Sequence, residues 1–503
     1  MRNAVAGFGG RFATLAVGML MAPYLLDRLG TDRFAVWALV SVVTGSLGLL
    51  DVSVRVPLIK FLAEGDAARQ SAIATNGLVL LLLVASLMAA LFGAASGHVT
   101  DWLAVPAPLR TEATLAFGLG VAGLAVGTAL SLFPAICDAH QRMDVTNGLG
   151  IAALVGGALL TVGLVERGYG VPGAAAAQCA SVAGFHLACI VAARRVAPHV
   201  AISPALLSGA WLARLMRFGG HVHAGTGCGV VAREFDKLLL ARGAGLGFTA
   251  AYELGTKLVA GGATLVSALS AALLPAASRL AAGGQHDRLL ALHRLSLRYL
   301  SLLSVPVFVF VAGHAGALVQ GWTGTRIPLA AATVVLLAAG YLCVSLGSGM
   351  VRIAQGMGRQ RLQTEQALVQ LVANVVCSLV LYRLLGPFGA PLGTSIALAL
   401  GTLVLTIRLH RALGEPAWPL LRASIVPPVL CATLALAAIW MAAPSLDVPG
   451  RLVLWPLAVR GVAFAGAFAA CCLLTRTIDP SEVRSLAGLL APRRLAGQPG
   501  GGR

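Results

Sequence analysis

The sequence predicts an all-α polytopic membrane protein with about 14 transmembrane helices. Hydrophobic residues make up 58% of the 503 residues and charged residues only 11%, whereas roughly a quarter of a soluble domain is charged. The apolar residues form blocks of about 20 residues, the length of helix that crosses a bilayer core of ~30 Å. The predicted spans include 34–59, 218–241, 299–316 and 328–350. The 60 glycines fit the same class, because small residues let membrane helices pack closely.

The placement of the basic residues predicts the orientation. With a cytoplasmic N-terminus, the cytoplasmic segments hold 23 Lys and Arg residues and the opposite segments hold 8, as the positive-inside rule requires. We therefore predict a multi-pass protein of the inner (cytoplasmic) membrane with both termini in the cytoplasm. Topology also explains the net charge of +18. Because the basic residues are scattered between apolar blocks, no nucleic-acid partner is expected.

Three sequence patterns recur in the same order at a nearly constant offset. Leu25-Leu26-x-Arg28 recurs as Leu239-Leu240-x-Arg242, the segment from Pro57 recurs from Pro275, and Gly170-x-Pro172 recurs as Gly389-x-Pro391, at offsets of 214, 218 and 219 residues. An even number of predicted helices separates the copies, so the copies have the same orientation in the membrane. Such repeats are related by an axis along the membrane normal, and rocking can open the cavity between them to either side.

The repeat predicts the domain organisation. Residues 1–200 form an N-terminal six-helix lobe, 214–415 a C-terminal six-helix lobe, 420–475 two extra transmembrane helices and 476–503 a cytoplasmic tail. We expect the two lobes to be pseudo-symmetric and to enclose a central cavity. The loops are all short, so no separate soluble domain is expected between the helices.

Several segments resemble motifs of a known family. Residues 23–34 resemble the opening motif of the polysaccharide (O-antigen/exopolysaccharide) flippase family of the multidrug/oligosaccharidyl-lipid/polysaccharide (MOP) exporter superfamily, and 50–53, 235–240, 272–279 and 356–361 resemble its later motifs. The resemblance covers roughly residues 1–415. One departure is Ser53, where the family usually has glycine.

The resemblance implies a transporter and not an enzyme. It implies a flippase that moves an undecaprenyl-pyrophosphate-linked oligosaccharide from the cytoplasmic to the periplasmic leaflet by alternating access, in lipopolysaccharide or exopolysaccharide biosynthesis. A cation-coupled multidrug exporter and a flippase of the peptidoglycan lipid precursor are alternatives of the same fold. A membrane glycan polymerase is less expected, because the extracytoplasmic loops are short. The implied partners are the undecaprenyl-linked glycan, membrane lipids and other polysaccharide assembly proteins. No cofactor and no metal are implied, and proton or sodium coupling stays open.

Ionisable residues inside the membrane are the candidates for the substrate cavity, because each is costly unless it faces protein or water. Asp51 and Arg55, and likewise Glu253 and Lys257, are four residues apart, so each acid can pair with its base on one helix face. Structural ion pairs are therefore the alternative interpretation. A cavity richer in arginine and lysine than in acid would suit a pyrophosphate group. No residue is predicted to be catalytic. The cavity candidates are Arg11, Asp51, Arg55, Arg233, Asp236, Lys237, Glu253 and Lys257.

Overall fold

The computed structural model of the chain describes residues 2–47, 49–271, 273–442 and 448–477, and the side chains at 2–8, 11, 45–53, 56, 97, 218–230 and 233 are outside the described set. Every long regular element in these ranges is an α-helix, which confirms the predicted fold class. The helices are α1 (Arg2–Leu29), α2 (Thr31–Leu47), α3 (Leu49–Glu64), α4 (Ala67–Trp102), α5 (Arg110–Leu130), α6 (Leu132–Ala139), α7 (Met143–Glu166), α8 (Gly170–Val196), α9 (Gly209–Gly243), α10 (Leu246–Ser270), α11 (Leu273–Ala282), α12 (His286–Gly313), α13 (Ala315–Thr323), α14 (Pro328–Gly356), α15 (Arg361–Leu385), α16 (Gly389–Leu413), α17 (Ala417–Ala442) and α18 (Leu454–Leu474).

Eleven stretches of the described residues are long and apolar enough to cross a membrane. One of them, Arg361–Leu413, contains both α15 and α16. The predicted spans at 34–59 and 218–241 coincide with α2–α3 and α9, which are the remaining long segments. Helices thus lie at the predicted spans, and eleven stretches of the described residues have the length and hydropathy of a membrane crossing. The location of the two termini on the cytoplasmic side stays a prediction.

The helix packing of the first part of the chain recurs in the second. We call α1–α8 the N-terminal bundle and α9–α16 the C-terminal bundle. In the N-terminal bundle, α1 packs on α7, α4 on α5, and α8 on both α5 and α7. In the C-terminal bundle, α9 packs on α15, α12 on α14, and α16 on both α14 and α15. The predicted domain boundaries themselves remain a prediction.

The turn after the first helix contains a glycine with positive φ in both bundles. Gly30 follows α1 with φ of 77°, and Gly245 lies between α9 and α10 with φ of 87°. Glycine adopts this left-handed region without the steric cost that a side chain adds. Each turn reverses the chain directly into the next helix, so the first recurring pattern in the sequence marks equivalent places in the two bundles.

The bundles share one hydrophobic core at one end and have separate cores at the other. The shared core combines residues of α1, α2, α5 and α8 with residues of α9, α10, α13 and α14. Near the end where the chain begins, one core joins α3, α4, α6, α8 and the first turns of α9, and another joins α11, α12, α14 and α16. The shared core therefore closes the predicted periplasmic end, whereas two distinct cores form at the predicted cytoplasmic end, where the first turns of α9 cross from the C-terminal bundle to the N-terminal one.

The helices α17 and α18, which we call the C-terminal pair, pack beside the C-terminal bundle. A fourth core cluster joins Val305 of α12 to Cys431 and Ala435 of α17 and to Phe464 and Phe468 of α18. The C-terminal pair thus contacts α12 without adding a helix to the interface between the two bundles.

Candidate functional site

A cavity of about 850 Å³ lies between the bundles. It is lined by α1, α3, α6, α7 and α8 of the N-terminal bundle and by α10 of the C-terminal bundle. Ionisable side chains reach it from both bundles, and those among the described lining residues are Arg55, Asp138 and Lys257. This size and this mixture of an apolar wall with a few polar groups are typical of a small-molecule or head-group site.

Arg55 pairs with an acid from another helix. Its Nη2 lies 3.2 Å from Oδ2 of Asp138 at the end of α6, and the Thr146 hydroxyl on α7 donates a 2.7 Å hydrogen bond to Oδ1 of the same carboxylate. Both carboxylate oxygens are therefore engaged, and three helices fix the position of the guanidinium. The buried Nε of Arg55 has no hydrogen-bond partner, so the group retains donor capacity.

Lys257 ends a chain of four alternating charges that connects α9 with α10. Lys237 lies 2.9 Å from both Glu234 and Glu253, and Glu253 lies 3.1 Å from Lys257. The four formal charges cancel, as buried ionic groups require. Only Lys257 among the four lines the cavity.

In both ion pairs at the cavity the cation is more exposed than its acid. The exposed fractions of the side chains are 36% for Arg55 against 12% for Asp138, and 35% for Lys257 against 8% for Glu253. Glu253 stands behind Lys257, and Asp138 lines the cavity beside Arg55. Both acids orient their cations and leave them partly exposed. Two positive groups, one from each bundle, are therefore presented to the cavity, which is an arrangement that attracts phosphate.

A second polar cluster lies inside the C-terminal bundle. Asp236 is 0% exposed, and its Oδ2 accepts hydrogen bonds from Tyr252 Oη at 3.0 Å, from Asn374 Nδ2 at 3.1 Å and from the Thr394 hydroxyl. Oδ1 of Asp236 and Oδ1 of Asn374 are buried without a hydrogen-bond partner. Unpaired buried oxygens of this kind require a partner, which a proton, a cation or a bound water can supply. We call these four residues the oxygen cluster.

The family is decided by a match that covers more than half of the chain. A family model described as "Polysaccharide biosynthesis protein" matches residues 29–326. The chain belongs to this family. A second model, described as "Lipid II flippase MurJ", matches residues 262–454, and no curated protein sequence matches the chain.

Solved structures similar to this family member share its fold at low sequence identity. The lipid II flippase MurJ in an inward closed conformation is 13% identical with a TM-score of 0.71, and the alignment covers 94% of this chain and 98% of MurJ. An inward-facing multidrug resistance MATE family transporter is 15% identical with a TM-score of 0.64, covering 82% and 98%. A MOP superfamily transporter from Pyrococcus furiosus is 16% identical with a TM-score of 0.56, covering 82% and 95%. The chain therefore has the fold of the MOP transporters, which the sequence motifs predict.

The structure places the described candidates for the cavity in three groups. Arg55 and Lys257 line the cavity. Lys237 and Glu253 lie behind it in the charge chain, and Asp236 lies apart from it in the oxygen cluster. Three further candidates, Arg11, Asp51 and Arg233, have side chains outside the described set.

Sequence reasoning missed the residues that complete both sites. Asp138 is not among the cavity candidates that the sequence predicts, yet it is the described partner of Arg55. The residues around Asp236 are Tyr252, Asn374 and Thr394, which a search for charged groups in the membrane passes over. Asn374 is an uncharged polar residue within an apolar span, and this signal in the sequence would have identified it as a candidate.

Proposed function

We propose that the protein is a flippase that moves an undecaprenyl-pyrophosphate-linked oligosaccharide from the cytoplasmic to the periplasmic leaflet by alternating access, during polysaccharide biosynthesis. The observation that carries the proposal is the pair of partly exposed cations, Arg55 and Lys257, which the two bundles present to one cavity. A pyrophosphate carries charge and acceptor oxygens that a guanidinium and an ammonium bind well. Membership in the polysaccharide biosynthesis family supports the glycan as cargo.

Closure at one end and a cavity towards the other support an alternating-access cycle. The shared core holds α1 and α2 against α10 and α13, whereas the cores near the beginning of the chain are separate. With a cytoplasmic N-terminus, this is the state in which a lipid-linked glycan enters from its side of synthesis. Opening of the shared core and joining of the separate cores would deliver it to the other leaflet.

The peptidoglycan lipid precursor is the second candidate cargo. The lipid II flippase model that matches residues 262–454 favours it. Both cargoes carry a pyrophosphate on a polyprenyl chain, so the two cations would serve either of them, and only the sugars differ. The direction of transport and the absence of catalysis are common to both candidates.

We further propose that the oxygen cluster binds the coupling ion, which is a proton or Na⁺. Carboxylate, amide and hydroxyl oxygens are the ligands that hard cations take, and two of these oxygens are unpaired. The cluster lies within the C-terminal bundle, away from the glycan path. Transport that responds to neither a sodium gradient nor a proton gradient would contradict this assignment.

The substrate proposal is tested by complementation of two strains. One strain lacks its polysaccharide flippase and the other is depleted of its peptidoglycan precursor flippase. We expect this gene to restore glycan export in the first strain, and Arg55→Ala and Lys257→Ala each to reduce that export by about tenfold, since a charged hydrogen bond contributes roughly 1.5–3 kcal/mol. Arg55→Lys should retain more export than Arg55→Ala.

The matched control is Arg195→Ala, which removes an exposed arginine at the end of α8 and should leave export unchanged at equal protein levels. Full export by both cavity variants would contradict the role of the two cations. Rescue of the second strain alone would assign the peptidoglycan precursor as cargo.

A further inference from the structure

Helix α1 contains a carbonyl group that its own helix cannot satisfy. Pro23 lies inside α1 and is buried. Proline has no backbone N–H, so the carbonyl of Met19, four residues earlier, lacks its usual intrahelical donor. Inside a membrane a freed carbonyl needs another partner from the protein or from water.

A tryptophan of the opposite bundle supplies that partner. Trp322 lies in α13 of the C-terminal bundle, and its indole Nε1 donates a 2.7 Å hydrogen bond to the carbonyl oxygen of Met19. The two residues are 303 positions apart in the chain. The hydrogen bond therefore joins the two bundles. Its acceptor is the α1 carbonyl that lacks an intrahelical donor because of Pro23.

The position of α13 is fixed by the C-terminal pair. Gln320 donates a 2.7 Å hydrogen bond to the carbonyl of Val448, in the segment before α18, and accepts one of 3.0 Å from Arg326. Gly321 packs so closely on Leu454 that an added Cβ would lie 2.5 Å from the leucine side chain. Trp322 is thus held on a short helix that is anchored from behind.

The bond lies at the closed end of the molecule. Ala22 and Leu25 of α1 and Ala315 and Val319 of α13 are all members of the shared core. These four residues are apolar, so the hydrogen bond adds direction to a contact that they stabilise by burial.

We propose that Trp322 is an inter-bundle latch, whose hydrogen bond to the Met19 carbonyl holds the predicted periplasmic end closed. This inference rests on the alternating-access cycle of the proposed function. Opening separates α13 from α1 and breaks the bond. Water entering the cavity then solvates the carbonyl, and the indole N–H reaches the membrane interface, where tryptophan is stable. Both groups are satisfied in either state, so the latch is reversible.

The test measures access to the cavity from the periplasm. Thr14 of α1 lines the cavity. Intact cells that express the Thr14→Cys variant are treated with a membrane-impermeant maleimide, which reaches the cavity only from the periplasm. Mass spectrometry of the peptide that contains position 14 reads the modification, so the nine native cysteines stay in place. Trp322→Phe retains an aromatic ring and removes the N–H. We expect about fivefold faster modification, the factor that corresponds to losing one hydrogen bond of roughly 1 kcal/mol.

A second variant reaches the same bond from its other partner. Pro23→Ala restores an N–H that competes for the Met19 carbonyl, and it should also speed modification. The matched control is Trp455→Phe, which alters an exposed tryptophan of α18 and should leave the rate unchanged. Unchanged modification in both latch variants at normal protein levels would overturn the latch. If Trp322→Phe fails to accumulate, Pro23→Ala decides the result.

Glycan export is measured in the same cells to separate the two proposals. Normal export by the parent together with unchanged modification in the latch variants refutes the latch alone. Failure of the unmodified protein, with Thr14 in place, to export the glycan refutes the proposed function, whatever the modification rates are.

Discussion

At the scale of single residues, Glu253 controls the charge balance beside the cavity. It is the only described acid of the charge chain that contacts both lysines, at 2.9 Å from Lys237 and 3.1 Å from Lys257. Lys237 is buried and keeps only Glu234 if Glu253 is neutralised. Removing one partner of a buried ion pair leaves an uncompensated charge, which costs more than the pair itself contributes.

We therefore expect Glu253→Gln to lower the free energy of unfolding by about 3 kcal/mol. Thermal unfolding of the purified protein in detergent measures the effect. The double variant Glu253→Gln/Lys257→Gln restores neutrality, because Glu234 and Lys237 still pair, and it should recover much of the loss. Equal unfolding temperatures for the parent and Glu253→Gln would contradict this account.

The sequence predicts local pairs better than distant ones. Glu253 and Lys257 are four apart on one helix, and the pair that this spacing allows is present. Arg55 and Asp51 have the same spacing, but the side chain of Asp51 lies outside the described set, so that pair stays a prediction. The described partner of Arg55 is Asp138, which is 83 residues away. Helix rotation and packing decide that contact, and the hydropathy of each span does not encode them.

At the scale of elements, glycines set how closely α16 approaches α15. Gly393 is buried, and a Cβ added there would lie 2.6 Å from the backbone nitrogen of Ser378. Gly156 of α7 offers a contrast, because nothing lies within 4 Å of a Cβ added to it. Close approach through small residues is a main source of helix association in membranes.

Gly393→Ala should destabilise the protein by about 1–3 kcal/mol, the usual cost of overpacking. Gly156→Ala should be neutral or stabilising by up to ~1 kcal/mol, since it only restricts the unfolded chain. Both are compared with the parent by unfolding in detergent. Similar effects of the two substitutions would mean that the α15–α16 contact relaxes freely around a methyl group.

The sequence predicts the long helices and misses the short one that carries Trp322. Hydropathy over about 20 residues detects a crossing, and the fourteen predicted spans all coincide with helices. The nine residues of α13 extend only about 13 Å as a helix, which is too short to cross. All but the first two of them fall between the predicted spans at 299–316 and 328–350, so hydropathy did not identify this helix.

At the scale of the whole molecule, the two proposed sites belong to different bundles and are joined by one chain of contacts. The cavity is lined mainly by the N-terminal bundle, and the oxygen cluster is built from α9, α10, α15 and α16. Asp236 is followed by Lys237, which contacts Glu253, which contacts Lys257 at the cavity. These contacts connect Asp236 with the cavity through neighbouring side chains of α9 and α10, both in the C-terminal bundle.

Asp236→Asn should therefore separate binding from transport. The variant retains Arg55 and Lys257, so its affinity for a fluorescent polyprenyl pyrophosphate should be within about twofold of that of the unmodified protein. Gradient-driven flipping in proteoliposomes should slow about tenfold, which corresponds to a loss of about 1.4 kcal/mol of coupling at the ion site. Lys257→Ala should give the opposite pattern, with weaker binding as the primary defect. Because neutral asparagine also keeps the cluster buried and hydrogen-bonded, loss of binding by Asp236→Asn in parallel with transport would place Asp236 in the glycan path and remove the oxygen cluster as an ion site.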